Sequence, residues 1–329
     1  MTHTRGRFRG SLGGRGSRGT GFAALLAAAL LVALAGCSGG GAGTPKAAAS
    51  SPAPDGPGAR GAPGAPGSAP ASGSPVPVVP AGAGGIPGAK TLPLGPDGLP
   101  AVFDNGPRAK PRVALTFDSD MTAGMQERLR TGKTASYDNT ALLADLRRLK
   151  VPATFFMTGL WIDTYPQEAK GIATDPLFEV ASHSLTHRGF AGQCYGLGHV
   201  PENEMAAEVR APFERLKAVP GARTVPYFRF PGGCYDKAAL RAIASTGVMP
   251  VQWDVVSGDA DGATGDKIAA TVLAKVKNGS VVVMHNSLGP AAHTADALPK
   301  IVAGLRAKGF EIVLVSDLVG AAAGQTAAG

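Results

Sequence analysis

Between residues 104 and 322, short runs rich in Val, Ile, Phe and Thr alternate with stretches whose apolar residues recur at helical spacing. That alternation restricts the chain to parallel strands joined by helices and argues against a sandwich of antiparallel sheets. Strands are expected near Arg112–Phe117, Ala153–Thr158, Phe178–Ser182, Tyr227–Phe230, Met249–Asp254, Ser280–His285 and Phe310–Val315. The clearest helical stretches are Asn139–Lys150, Glu202–Ala218, Lys237–Thr246, Lys267–Lys277 and Ala295–Lys308. The fold class is therefore α/β, with about seven parallel strands in one domain large enough for a substantial core.

Polar residues cluster where those strands end. Asp118 and Asp120 follow the first, His183 the third, Arg229 closes the fourth, Asp259 follows the fifth and His285 closes the sixth. In parallel α/β barrels the carboxyl ends of the strands open on one face, which carries the active site. Residues far apart in sequence are expected to meet there.

The densest of these positions is His183-Ser184-Leu185-Thr186-His187. Two imidazoles four residues apart on a helical turn face the same way and can grip one divalent metal. Two neutral imidazoles and a carboxylate leave room for a water, whose pKa the metal lowers while polarising a carbonyl. An aspartate at the same rim can accept the water's proton, and a histidine on the opposite wall can protonate a leaving amine or alcohol. Gly232 and Gly233 have no side chains to keep a substrate from their N–H groups, which makes them candidate oxyanion donors. His199 and His293 belong to no such constellation and are read as loop residues.

With these residues in order, the domain resembles the polysaccharide deacetylase family, the NodB homology domains of carbohydrate esterase family 4. Thr116-Phe117-Asp118-Ser119-Asp120 resembles the family's first motif, and His183-Ser184-Leu185-Thr186-His187 matches His-[Ser/Thr]-x-x-His in full. Arg229-Phe230-Pro231-Gly232-Gly233 matches Arg-x-Pro-x-Gly, and Val281-Val282-Val283-Met284-His285 resembles the closing hydrophobic strand ending in His. The resemblance implies a distorted (β/α) barrel that uses a divalent metal, zinc first and cobalt as an alternative, to remove acetyl groups from a polysaccharide. It implies Asp118 as general base, His285 as general acid, Asp259 as the residue orienting that acid, and Arg229 as the residue steadying the base. His183 and His187 are the implied metal ligands, with an aspartate of the first motif as the third.

Two departures qualify the transfer. The family usually has adjacent aspartates in its first motif, the second being the ligand, whereas Ser119 fills that place here. A hydroxyl is a poor zinc ligand, so the role passes to Asp120, although the reverse assignment of Asp118 and Asp120 is also open. The family often has a Trp directly after the motif's final Asp; that position is Ala260, which leaves Trp253 as a candidate to close the acetyl pocket.

The first residues read as an address. Arg5, Arg7, Arg9, Arg15 and Arg18 precede an apolar stretch, Gly21–Ala35, too short to span a membrane comfortably, and Leu34-Ala35-Gly36-Cys37 resembles a bacterial lipobox. Residues 1–36 are thus expected to be a lipoprotein signal and Cys37 the lipidated residue, anchoring a secreted protein on the outer side of a membrane. Residues 37–103 are mostly Gly, Ala, Pro and Ser, a disordered tether able to reach a neighbouring polymer; 323–329 read as a disordered tail. The formal charge of +8 includes the five leader arginines and is +3 without them, so it is poor evidence for a nucleic-acid partner. Outside the reducing cytosol, Cys194 and Cys234 are expected to pair. The expected partner is an acetylated cell-envelope or extracellular glycan, peptidoglycan-like or chitin-like, met by a monomer. The alternatives are an O-acetyl polysaccharide (xylan) esterase and an inactive glycan-binding lipoprotein.

Overall fold

The first expected strand runs through Ser119 as β1 (Arg112–Ser119) and lies at the centre of the sheet. Its side chains are buried on both faces from Val113 onward, which is why it reads as a nearly continuous apolar run. The computed structural model describes residues 94–289 and 291–326; the expected leader, Cys37 and the tether up to residue 93 lie outside the described residues.

The other strands are β2 (Ala153–Met157), β3 (Phe178–Ser182), β4 (Thr224–Phe228), β5 (Met249–Pro250), β6 (Val255–Val256), β7 (Ser280–His285) and β8 (Glu311–Val313). They pair in parallel in the order β5-β4-β3-β2-β1-β7-β6. β8 lies against Arg112–Ala114, on the same edge of β1 whose outer half, Thr116–Ser119, pairs with β2. The result is a curled sheet of the distorted-barrel type, open between β5 and β6. A short bridge closes that seam: Phe103 pairs with Val251, Asn105 with Ser280, and the Gly106 N–H donates to the Gly279 carbonyl at 2.8 Å.

Nine helices among the described residues cover the sheet. They are α1 (Ala123–Arg130), α2 (Thr140–Arg148), α3 (Gly159–Thr164), α4 (Pro166–Ala173), α5 (Met205–Lys217), α6 (Lys237–Ile243), α7 (Gly265–Lys275), α8 (Thr294–Ala307) and α9 (Val315–Thr326). Several begin where a side chain takes the first free N–H: Thr122, Asn139, Thr158, Asp236 and Thr264 each accept from a residue three positions on. One large core lies between the sheet and α2, α4, α7 and α8, and a second joins Phe190, Phe228 and Phe230 to α5 and α6. The barrel interior holds a third set, including Ala114, Phe156, Ala181, Tyr227, Val251 and Val281, with Val315 and Leu318 of α9 in the same cluster.

Three expectations shift. The tether expected to end at 103 meets a segment already folded, because Leu99 and Val102 pack on the second core and Phe103 completes the seam. The last strand stops at Val313, and the chain from Val315 turns helical through Thr326, past the expected start of the tail. The fourth strand lies earlier than its expected Tyr227–Phe230, leaving Arg229 and Phe230 beyond its end. No helix among the described residues is long and apolar enough to cross a membrane.

Candidate active site

Strand periodicity explains the irregular first motif. Alternate residues of β1 point to the barrel interior, so Thr116 and Asp118 share a face that Asp120 continues just past the strand end. Ser119 turns the other way, its hydroxyl accepting from Asn286 Nδ2 at 3.4 Å. Inserting one residue between the two aspartates therefore keeps both carboxylates on the cleft side.

Arg229 is fully buried beneath them. Its Nη1 donates to Asp118 Oδ1 at 2.6 Å and to Thr116 Oγ1 at 2.8 Å, and the guanidinium lies over the Phe156 ring, 3.9 Å from its centroid. Burial pulls its pKa down, and the Asp118 charge opposes that pull. A buried charge of this kind needs its partner, so this is no surface ion pair. The backbone carbonyl of Arg229 accepts from His183 Nδ1 at 2.9 Å, which puts the imidazole proton on Nδ1 and leaves Nε2 as a free donor atom facing the cleft.

The two histidines do converge, their ring centroids 4.9 Å apart, but not on a helical turn. Ser184 and His187 both have positive φ, 71° and 60°, which costs roughly 1–3 kcal/mol each and rules out helical repetition. Side chains hold the loop instead. Glu208 on α5 accepts from the Leu185 and Thr186 N–H groups at 2.9 Å and from Thr186 Oγ1 at 2.8 Å, while Ser184 Oγ accepts from the His187 N–H at 3.0 Å. Glu208 lies on the stripe formed by Met205, Val209, Pro212 and Leu216, and a glutamate on an apolar stripe was a signal that sequence reasoning passed over.

Asp120 Oδ1 is buried without a hydrogen-bond partner, 3.4 Å from His183 Nε2 and 3.3 Å from His187 Nε2. Donor atoms about 2.0–2.2 Å from one tetrahedral ion lie roughly 3.3–3.6 Å apart, so these spacings and the unpartnered oxygen fit a divalent cation. Asp120, His183 and His187 together form a possible metal site, all donor atoms within 4.8 Å of one another. Burial works against the Asp120 carboxylate, yet His187, His183 and His285 hold its pKa well below the ordinary value. Ser287 clamps its backbone: the Asp120 N–H donates to Ser287 Oγ at 2.8 Å, and that hydroxyl donates to the Asp120 carbonyl at 3.0 Å. Neither Glu208 nor Ser287 was expected to have a place in the site.

Across the cleft, His285 Nδ1 lies 2.9 Å from Asp259 Oδ1, and its Nε2 is 3.9 Å from Asp120 Oδ2. Asp259 is held in turn by the His285 N–H at 2.7 Å, Thr294 Oγ1 at 2.8 Å and Ser257 Oγ at 2.9 Å. Burial alone would lower the His285 pKa; the charge and hydrogen bond of Asp259, then the Asp120 and Asp118 charges, push it up to about 10. The adjoining wall is the Pro231–Gly233 turn, where the Gly233 N–H donates to the Phe230 carbonyl at 2.9 Å. Trp253 packs against Gly233 and lies 5.4 Å from the Arg229 guanidinium, whereas Ala260 faces outward. Cys194 and Cys234 form a disulfide with Cα atoms 6.0 Å apart, tying the loop after His187 to that turn. His199 pairs through its backbone with Gly189, and His293 makes an exposed contact with Asp296; neither joins the site.

A curled parallel sheet carries a possible Asp-His-His metal site opposite a His-Asp pair, on the fold of the carbohydrate deacetylases. The sequence matches the polysaccharide deacetylase family model over residues 105–251. It is 26% identical to an uncharacterized protein, YlxY, of Bacillus subtilis (strain 168), the match covering 54% of this chain and 52% of that one. It is 28% identical to a peptidoglycan-N-acetylglucosamine deacetylase of Bacillus cereus, over 65% of this chain and 70% of that one. Among solved structures, the Bc1960 peptidoglycan N-acetylglucosamine deacetylase superposes with a TM-score of 0.55 at 27% identity, covering 66% of this chain and 92% of that one. A CE4 family pseudoenzyme from Bacillus anthracis shares the fold at 23% identity, with a TM-score of 0.54 over 67% of this chain and 69% of that one.

The Ser287 clamp generates a direct expectation. Ser287→Ala frees the Asp120 backbone without touching a donor atom and is expected to weaken zinc affinity about 10–100-fold, with Ser287→Thr restoring it. Chelator-competition titration of the folded variants measures this; unchanged affinity in Ser287→Ala would show that the clamp is dispensable.

Proposed function

We propose that the protein is a metal-dependent deacetylase of an N-acetylated cell-envelope or extracellular glycan, acting from a lipid anchor at Cys37 on the outer face of a membrane. The observation that carries the reading is the unpartnered Asp120 Oδ1 between two imidazole Nε2 atoms, with an independent base and acid on either side. The relatives named as peptidoglycan-N-acetylglucosamine deacetylases support the substrate class.

Asp120, His183 and His187 hold the ion, zinc by the softness of the imidazole-rich set. When bound, it supplies Lewis acidity to the acetyl carbonyl and lowers the pKa of water. Asp118 accepts the proton of the attacking water at Oδ2, because Arg229 occupies Oδ1 and fixes the carboxylate plane. The Gly232 N–H faces the developing oxyanion. His285, kept protonated at neutral pH by Asp259, gives its Nε2 proton to the leaving nitrogen, and the proton that Asp118 took from the water recharges it for the next turnover. The binding-only alternative has no use for a protonated histidine opposite a metal cluster.

Chelation is expected to abolish acetate release, and zinc or cobalt to restore it. The two aspartates separate under substitution: Asp118→Asn keeps the metal and loses about 10²–10⁴-fold in rate, whereas Asp120→Asn loses the metal. Metal analysis of the purified variants decides this, and metal loss following Asp118 instead would reverse the two roles.

His285 distinguishes amide from ester chemistry. An amine anion is a far worse leaving group than a phenolate, so His285→Ala should lose several orders of magnitude on an N-acetyl glycan and keep much of its rate on an aryl acetate. Equal losses on both substrates at full metal occupancy would remove the acid role.

A further inference from the structure

Tyr195 is the most exposed of the large apolar side chains among the described residues, at 86%. Its loop connects His187 to α5 and has four residues at positive φ: Gly192, Tyr195, Gly196 and Gly198. Three are glycines, which adopt that backbone freely; Tyr195, at φ 49°, does so against its own side chain. The strain buries no ring. It presents an aromatic face to solvent beside the cleft.

The position of that face follows from the two glycines of the catalytic turn. A Cβ on Gly232 would lie 2.7 Å from Cys194 Sγ and 3.0 Å from Tyr195 Cδ2, and one on Gly233 would lie 2.8 Å from Trp253 Cη2. Tyr195 and Trp253 therefore flank the turn, each against one glycine. The Cys194–Cys234 bridge, adjacent in sequence to Tyr195 on one side and Gly233 on the other, fixes the spacing. Trp253 continues the rim toward Arg229 and so toward Asp118, whereas Tyr195 lies on the far side of Gly232. An exposed aromatic face at the edge of a polar cleft suits the C–H face of a pyranose ring, whose hydroxyls stay in water while its apolar face is covered.

We propose that Tyr195 is a stacking platform for a sugar ring beyond the one that is deacetylated, so that the protein selects a glycan chain over a single acetylated sugar. This rests on the deacetylase reading above and extends it. Kinetics of acetate release by the zinc-loaded protein on N-acetylglucosamine oligomers, a dimer and a pentamer, and on an aryl acetate test it. For the wild type, KM is expected to fall from dimer to pentamer. Tyr195→Ala should raise the pentamer KM about tenfold, the equivalent of one aromatic contact, and flatten the length dependence, with aryl acetate turnover unchanged. Tyr195→Phe and Tyr195→Trp should keep the pentamer KM. An unaltered length dependence in Tyr195→Ala, or an equal loss on the aryl acetate, would reduce Tyr195 to a packing residue. Equal wild-type KM values on both oligomers would overturn the platform and leave the deacetylase reading standing. Turnover of the aryl acetate with neither oligomer consumed would overturn both.

Discussion

A guanidinium with no access to water has to be paired, and Arg229 shapes the cleft through the way it is satisfied. Its side chain reaches Asp118 and Thr116 on β1 and the Val251 and Gln252 carbonyls beyond β5, with Phe156 of β2 beneath it. One buried charge thus connects the central strand to the open seam of the sheet. Its backbone carbonyl, through His183 Nδ1, also sets which nitrogen of that imidazole faces the cleft. Asp118 and one of the cleft-facing histidines are oriented by the same residue, and Asp120 Oδ1 is left without a hydrogen-bond partner.

Much of this was legible in the chain. Strands buried on both faces make long apolar runs, so β1, β2, β3 and β7 were located nearly to the residue. α1 buries no side chain and has no apolar stripe to read, while α9 is rich in Ala and Gly and starts one residue after a strand. The fold of residues 94–103 was hidden because a Pro- and Gly-rich composition looks the same whether or not the sheet seam captures it. The His183–His187 spacing suggested a helix because helices bring such residues together, but here two left-handed residues and a buried glutamate do so.

The Asp118-Ser119-Asp120 pattern shows how a departure from a family motif can keep two carboxylates on one side of the cleft. Two adjacent residues on a strand face opposite sides, and two residues one apart face the same side. The added serine turns outward to Asn286, and the neighbouring Ser287 holds the displaced backbone of Asp120. The periodicity was in the sequence; the clamp was not, because it joins residues 167 positions apart.

In the proposed site one divalent ion is held by Asp120, His183 and His187 and not by Asp118. Anomalous diffraction at the zinc edge from crystals of the zinc-loaded protein tests it most directly. A single peak about 2.0–2.2 Å from Asp120, His183 Nε2 and His187 Nε2, with Asp118 still bound to Arg229, is the expected result. A peak ligated by Asp118, or zinc bound only elsewhere on the molecule, would contradict it.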